Sequence, residues 1–220
     1  PNPLPDIDPK PEPKPEPEPK PDPDPTPDPK PTPSETIQAP QIVSVKSIAK
    51  KKMTAVQITV EAVQGATGYQ IYRKKGSKVT MIGQTSGTVF LDQNPVSGRS
   101  SYYAKAIKGS LTGKEGSAKK ITLPKATTKV TAKAKTDKTV VLSWKKVKGA
   151  TGYLVYRSTK KNGSYQRIAV LKKGTKCTYT DKKRLKKGMK YYYRIVTVKK
   201  KTYSPAKTTK AVKIKAAKIK

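Results

Sequence analysis

Apolar and polar residues alternate in short runs along residues 41–220, and no run has the spacing of an amphipathic helix. In one run Val140, Leu142 and Trp144 occupy every second position. Clusters of Gly, Asn, Pro and Lys separate the runs, as turns separate strands. About seven such runs occur in each of two successive stretches, the number expected of an antiparallel β-sandwich. This pattern predicts an all-β fold.

The same pattern occurs twice. The segment GATGYQIYR at 65–73 is repeated as GATGYLVYR at 149–157, with an offset of 84 residues. Further along, VFLD at 89–92 matches TYTD at 178–181 with an offset of 89. The change of offset indicates an insertion of about five residues in the second copy, and the repetition itself predicts two tandem domains.

Residues 1–38 have a different composition, with most of the prolines and almost no large apolar residue. Every odd-numbered residue from Pro9 to Pro33 is proline. Since proline fixes its own φ and restricts the residue before it, we expect a disordered, extended linker that reaches roughly 75–80 Å. We interpret it as a spacer. The alternative, a ligand for an SH3-like groove, lacks apolar anchors between the prolines. We place the two domains at residues 39–124 and 125–220.

The second copy carries a family resemblance. A strand with Trp144, followed by a turn and GYLVYR, resembles the B–C region of fibronectin type III domains. The resemblance implies two tandem seven-stranded, immunoglobulin-like β-sandwiches. The first copy has Val60 in place of Trp144, and Ala104 and Ala106 where we align Tyr193 and Ile195. We therefore expect a smaller core and lower stability in the first copy.

The family's Leu-x-Pro-x-x-x-Tyr corner is matched in part by Leu185 and Tyr191, with Lys187 in the place of proline. We align Tyr102 of the first copy with Tyr191. The resemblance implies that both hydroxyls bond to the backbone a few residues upstream. We predict the following core residues: Trp144, Tyr153, Tyr191, Tyr102 and Tyr69.

The repeated GATGYxxYR motif and the Pro-rich segment resemble tandem modules of secreted or wall-attached proteins of Gram-positive bacteria. The resemblance implies an extracellular or cell-wall location and a spacer, adhesive or accessory role. Because the chain begins with Pro1 and has no signal peptide, we expect it to be part of a longer protein. We expect no membrane span, since no stretch approaches about 20 apolar residues, and a monomer.

The sequence contains few candidate catalytic residues. The chain has no histidine and one cysteine, Cys177, which removes most zinc sites and every Ser-His or Cys-His arrangement. Asp92 and Asp181 occupy matching positions in different copies, and we interpret them as turn or strand-end residues that bond to nearby backbone N–H groups. Cys177 is expected to be a partly buried strand residue, with an intermolecular disulfide as the alternative if it is exposed. We predict no enzyme activity, no cofactor and no metal.

Charge is the feature that points to a partner. The chain carries a net charge of +35, with +29 on residues 125–220 against +11 on residues 41–124. A solvated surface is the simplest explanation of lysine runs, but so large an excess also predicts attraction to polyanions. The candidate polyanion-binding residues are Lys172, Lys173, Lys176, Lys182, Lys183, Arg184, Lys186, Lys187, Lys199, Lys200 and Lys201.

Three functions fit this sequence. The first is a non-catalytic spacer and adhesion module whose basic second domain binds an anionic polymer such as teichoic acid, acidic polysaccharide or glycosaminoglycan. The second is a sequence-independent nucleic-acid binder that uses loop lysines and tyrosines. The third is a carbohydrate- or wall-binding accessory module of a secreted hydrolase whose catalytic domain lies outside this sequence.

Overall fold

The computed structural model describes residues 36–214, which form seventeen strands and no helix. Most of the predicted spacer, residues 1–35, lies outside the described residues, as do residues 215–220. Within the described part, therefore, no helix is available to cross a membrane. The two copies of the sequence pattern fold as two successive sandwiches.

The first sandwich contains eight strands in two sheets. They are β1 (Ile42–Ala49), β2 (Thr54–Val60), β3 (Gly68–Lys75), β4 (Lys78–Thr85), β5 (Val89–Asp92), β6 (Gly98–Lys108), β7 (Leu111–Glu115) and β8 (Lys119–Leu123). One sheet has the order β1-β2-β5, and the other has the order β4-β3-β6-β7, with β8 also paired to β6. Between β7 and β8 the Gly116 N–H donates to the Ala104 carbonyl at 2.9 Å. The two short strands therefore form one edge strand with a single interruption.

The second sandwich repeats this arrangement. Its strands are β9 (Thr131–Thr136), β10 (Thr139–Ser143), β11 (Gly152–Ser158), β12 (Gln166–Leu171), β13 (Thr178–Asp181), β14 (Lys190–Lys199), β15 (Thr202–Tyr203), β16 (Lys207–Thr208) and β17 (Val212–Lys213). The sheets have the orders β9-β10-β13 and β12-β11-β14-β15, and β16 and β17 continue the edge strand along β14. The predicted fold of two seven-stranded, immunoglobulin-like sandwiches is confirmed.

Each sandwich has its own core, in which alternate residues of the two sheets meet. In the second core, Trp144 is 5% exposed, and its ring packs edge-on against Tyr153 with 5.3 Å between centroids. Val60 occupies the matching position in the first core and is also buried. The structure places all five predicted core aromatics in the interior: Trp144, Tyr153, Tyr191, Tyr102 and Tyr69.

The alignment of Tyr102 with Tyr191 is wrong. Strand register pairs Tyr102 with Arg73 and pairs Tyr193 with Arg157, so Tyr193 is the counterpart of Tyr102. The spacing from Asp181 to Tyr193 is two residues longer than the spacing from Asp92 to Tyr102, which displaces the second copy's numbering. By the same register, Ala104 and Ala106 stand where Ile195 and Thr197 do.

The corner role survives only in the second copy. The Lys186 N–H donates to the Tyr191 hydroxyl at 3.0 Å, a backbone contact five residues upstream. The Tyr102 hydroxyl donates instead to the Asp92 carboxylate at 2.8 Å. Ser100 occupies the corner position in the first copy and is too short to make the contact.

The packed part of the chain begins before the boundary predicted at residue 39. Ile37 is 9% exposed and belongs to the core of the first sandwich. A Cβ on Gly113 would lie 2.6 Å from the Ile37 side chain, so a glycine in β7 makes room for it. The apolar pair Ile37 and Ile42 on either side of Pro40 is the sequence signal for this extension.

The two sandwiches pack against each other within one compact unit. The turn after β1 lies on the outer face of the β12-β11-β14 sheet, where Ala49 joins an apolar cluster built around Leu154, Tyr156 and Val196. Polar contacts tie the same surfaces together. The Tyr156 hydroxyl donates to the Lys50 carbonyl at 3.1 Å, and the Arg167 N–H donates to the Lys51 carbonyl at 2.8 Å.

The linker between the sandwiches forms hydrogen bonds with each of them. The Ala126 N–H donates to the Ser97 hydroxyl of the first sandwich at 3.1 Å. The buried Thr127 hydroxyl donates to the Lys145 carbonyl of the second sandwich at 2.5 Å. These contacts and the apolar cluster link the two sandwiches.

Candidate functional site

The two matching aspartates are each enclosed by hydrogen-bond donors. In the first sandwich the Asp92 Oδ2 atom lies 2.6 Å from the Arg73 guanidinium and accepts from the Tyr102 hydroxyl at 2.8 Å. The other carboxylate oxygen accepts from the Asn94 N–H at 3.0 Å. Burial raises the pKa of the Tyr102 phenol, and the Asp92 charge raises it further.

The second sandwich has the same arrangement. Asp181 is fully buried and lies 2.8 Å from the Arg157 guanidinium. It accepts from the Tyr193 hydroxyl at 2.9 Å and from the Lys183 N–H at 3.0 Å. Burial is again the largest cause of the raised pKa of the Tyr193 phenol, and the Asp181 charge raises this pKa further. Both carboxylates have their acceptor sites occupied by structural donors, which favours the strand-end interpretation over acid–base chemistry.

The sequence analysis did not identify Arg73 and Arg157 as partners of these aspartates. The signal was the repeated Tyr-Arg at the end of each GATGYxxYR segment, followed by an aspartate at the end of a later strand. A buried carboxylate needs a positive partner and further donors to stay charged. An arginine common to both copies was the candidate for that role.

Within residues 36–214, Cys177 and the remaining acidic side chains do not come together in a cluster. Cys177 is half-buried beside the second core, with its Sγ atom 4.0 Å from the Tyr153 hydroxyl. Among residues 36–214, no three His, Cys, Asp or Glu side chains come close enough together to hold a metal ion.

All eleven candidate polyanion-binding residues are exposed, but they do not form one surface. Strand register divides them. Ser143 at the end of β10 pairs with Thr178 at the start of β13, while Val140 pairs with Asp181. The loop before β13 therefore lies at the opposite end of the sandwich from the loop after it.

We call the two groups the linker-end and far-end clusters. The linker-end cluster lies on the loops 144–151 and 172–177 and on the turn 199–202, because Gly152 at the start of β11 pairs with Val198 near the end of β14. From the candidate set it contains Lys172, Lys173, Lys176, Lys199, Lys200 and Lys201. The far-end cluster contains Lys182, Lys183, Arg184, Lys186 and Lys187.

The two clusters act as separate surfaces. Strand β11 has seven residues and runs from one end to the other. At about 3.3 Å per residue, the clusters are roughly 20 Å apart. The Debye length at physiological salt is about 8 Å, so each cluster attracts an anion largely on its own.

The linker-end cluster is larger than the sequence analysis predicted. Lys145, Lys146 and Lys148 are exposed on the loop 144–151 and raise the cluster to nine lysines, without an acidic residue on these loops. The three were missed because they do not form a long uninterrupted run. The matching loop of the first copy, 61–64, reads EAVQ and has no lysine.

The far-end cluster is partly neutralised. Lys187 lies 3.4 Å from Asp137, which belongs to the turn between β9 and β10. Asp137 and Asp181 are the two acidic residues of the sequence 125–220, and both are paired with cations. The loops of the linker-end cluster carry no acidic residue, whereas the turn beside the far-end cluster carries Asp137.

The tyrosines near these lysines are engaged in packing. Tyr191 is buried, and Tyr179 packs against the second core. Tyr192 and Tyr203 pack against the cluster that joins the two sandwiches. None of these four rings is displayed as an open face on which a base could stack.

Known structures give the following comparison. A two-domain fibronectin type III segment of chicken tenascin is 17% identical, with 80% of this chain and 99% of that chain covered and a TM-score of 0.38. The FN1-FN3 domains of chicken CNTN1 are 16% identical, with 81% and 68% covered and a TM-score of 0.38. A Fn3-like protein from Clostridium thermocellum is 28% identical, with 45% and 99% covered and a TM-score of 0.36.

No protein-family model matches the sequence. No curated protein sequence is similar to it.

Proposed function

We propose that the chain is a non-catalytic extracellular spacer and adhesion module whose second sandwich binds anionic polymers such as teichoic acid or acidic polysaccharide. One observation carries the proposal: nine exposed lysines lie on three adjoining loops at one end of the second sandwich, without an acidic residue among them. The matching loop 61–64 of the first sandwich carries Glu61 and no lysine, so the fold does not require this charge.

The binding follows from counter-ion release. A polyanion that contacts several lysines releases condensed cations, and its affinity falls with salt in proportion to the number of contacts. Lysine supplies compact point charges, whereas the paired geometry that reads a particular anion favours arginine. We therefore expect several separate lysine–anion contacts along a polymer.

A rigid pair of sandwiches also suits the spacer role. The hydrogen-bonded linker and the apolar cluster between the sandwiches hold the basic loops at a fixed position relative to the first sandwich. Nucleic-acid binding is the weaker alternative, since the nearby tyrosines are engaged in packing.

The test is made on the intact chain, because separating the sandwiches would expose the cluster around Leu154 and Tyr156. Affinities for teichoic acid, heparin and DNA are measured at equal charge concentration near physiological salt. A clear preference for teichoic acid or heparin supports the proposal and names the partner class. A preference for DNA, equal affinity for all three, or no binding contradicts it.

Two variants that remove the same charge locate the surface. One replaces the linker-end residues Lys172, Lys173, Lys176, Lys199 and Lys201 with Gln. The other replaces the far-end residues Lys182, Lys183, Arg184, Lys186 and Lys187 with Gln. We expect the first variant to lose more affinity and to have a flatter salt dependence, because Asp137 already neutralises part of the far-end cluster. A greater loss in the second variant would contradict this assignment.

A further inference from the structure

A cleft of about 800 Å³ lies where the linker end of the second sandwich faces the first sandwich. Gly98 and the segment from Thr122 to Lys125 line one side, and residues of the loop 144–151 and of β14 line the other. Its volume falls in the range of about 300–1,000 Å³ that is typical of ligand sites. Neither sandwich forms the cleft alone.

The cleft has an apolar floor and a cationic rim. Leu123 and Pro124 are buried, and Val147 is half-buried. Lys125, Lys148 and Lys200 also line the cleft, and all three are exposed. An anionic ligand with a carbon backbone could satisfy both parts, by placing its charges on the rim and its C–H groups on the floor.

The Lys199 ammonium group is a fourth positive charge at the edge of the cleft. Gly149 has a φ of 73°, and a Cβ there would lie 3.1 Å from the Lys199 ammonium nitrogen. The glycine therefore lets the Lys199 side chain lie across the loop at the edge of the cleft. Both residues line the cleft.

One buried hydroxyl near the cleft is unpaired, but its side chain lies on the core face of β14 with Tyr193 and Ile195. Thr197 lines the cleft and is fully buried, and its Oγ1 atom has no hydrogen-bond partner among the described residues. An unpaired buried hydroxyl is unfavourable for folding. The matching residue of the first sandwich is Ala106, so the fold does not need a hydroxyl at this position.

We propose that this cleft binds a short segment of a hydroxyl-rich anionic polymer, with its anionic groups on the rim lysines and its carbon backbone on the apolar floor. The proposal rests on the proposed function and deepens it, because it identifies one defined site within a broad basic surface. The shared ligand chemistry is a polyol with an anion on each repeating unit. Polyol phosphates and uronic-acid chains both have it.

The test measures the binding of defined tetramers to the intact chain by calorimetry. The probes are glycerol phosphate tetramer and tetragalacturonate, and neutral maltotetraose is the control. We expect one tetramer bound per chain for at least one anionic probe and no binding of the neutral one. The anionic probe that binds more tightly identifies the source of the ligand, phosphodiester or carboxylate.

Two triple variants distinguish binding in the cleft from general electrostatic attraction to the basic surface. Lys125→Gln with Lys148→Gln and Lys200→Gln removes three charges that line the cleft. Lys173→Gln with Lys176→Gln and Lys201→Gln removes three charges from the same end that do not line it. We expect the first variant to bind the tetramer at least tenfold more weakly, because the loss of even one charge-assisted hydrogen bond has about that effect, and we expect the second to lose much less. Equal losses in the two variants would overturn the cleft proposal.

The outcomes also distinguish the two proposals. If long teichoic acid binds the intact chain but neither anionic tetramer does, the cleft proposal fails and the proposed function stands. If the long polymer does not bind either, both fail. Thr197→Val keeps the shape of the side chain and removes the hydroxyl. Because this hydroxyl faces the core, we expect a folded Thr197→Val protein to bind the tetramer as the native chain does, and weaker binding would place the ligand deeper than the apolar floor.

Discussion

At the end of the fifth strand of each sandwich, an arginine, an aspartate and a tyrosine satisfy one another. The guanidinium compensates the buried carboxylate, and the phenol and one backbone N–H fill the remaining acceptor positions. A buried ion pair of this kind costs more to break than it contributes when complete. Each triad therefore fixes how the strand that carries the arginine packs against the opposite sheet.

Tyr193→Phe tests the triad in the second sandwich. The variant leaves one Asp181 acceptor site without its donor, so we expect it to lower the free energy of unfolding by about 1–3 kcal/mol at pH 7. Tyr102→Phe is the matched variant in the first sandwich and should behave in the same way. Urea unfolding at pH 7 measures both, and an unchanged midpoint in both variants would contradict this account.

The same residue predicts a pH dependence. Because burial raises the pKa of Tyr193 in the folded protein, the unfolded chain loses the phenolic proton first, at about pH 10. Stability should fall as the pH rises above that value and should fall less steeply in Tyr193→Phe. Lysine titration is common to both proteins, so the difference isolates the tyrosine. Parallel stability curves from pH 8 to 11 would rule out this contribution.

Trp144→Ala should show that the indole belongs to the core. Trp144 is 5% exposed and packs on Tyr153, so its truncation should cost about 3–5 kcal/mol in the free energy of unfolding. Val60→Ala removes less volume at the matching position and should cost less. Denaturant melts measure both. A Trp144→Ala protein that kept its stability and lost only polymer binding would place the residue in a binding site instead.

At the level of the strands, period-two alternation predicted the core face of β10 because one face of each sheet must be apolar. It did not predict that Leu154 and Tyr156, on the outer face of β11, are also buried. That burial depends on the turn after β1 of the other sandwich, which no local pattern reports. The division of the candidate lysines into two clusters was not predicted for the same reason, since loops distant in sequence meet only through strand register.

The turn between β14 and β15 uses lysine where glycine would be easier. Lys200 and Lys201 have φ values of 47° and 62°, and two-residue turns of this kind favour Asn-Gly. The matching turn in the first sandwich has Gly109 at a φ of 58°. We interpret the two lysines as residues that provide positive charge at the expense of turn stability.

Lys200→Asn with Lys201→Gly should therefore stabilise the chain by about 1–2 kcal/mol and weaken polyanion binding. Lys200→Gln with Lys201→Gln removes the same charge without relieving the backbone and serves as the control. Thermal melts and teichoic acid binding measure the two effects. A less stable Asn-Gly variant would contradict the turn geometry, and unchanged binding in both variants would show that the turn lysines do not contact the polymer.

For the molecule as a whole, the contact between the sandwiches determines what kind of module this is. Ala49→Glu places a charge in the apolar cluster between them, and Val43→Glu on the same strand is the control because Val43 is 52% exposed. We expect the native chain and the control to unfold in one transition. The Ala49→Glu protein should be less stable, and its two sandwiches should unfold in separate transitions. Two transitions already in the native chain would contradict a fixed pair.

The measurement that tests the central claim most directly is the salt dependence of teichoic acid binding in a loop-exchange variant of the intact chain. Lys145→Glu, Lys146→Ala and Lys148→Gln place three loop residues of the first sandwich at the matching positions of the second. Lys133→Glu, Lys135→Gln and Lys138→Gln change the net charge equally on strand β9 and the turn that follows it. We predict that the slope of log K against log [salt] decreases in magnitude by about two in the loop-exchange variant and by less in the control. The reason is that only the loop lysines release counter-ions on contact with the polymer. Equal slopes in the two variants would mean that the polymer responds to net charge alone, and the assignment of binding to the linker-end loops would be wrong.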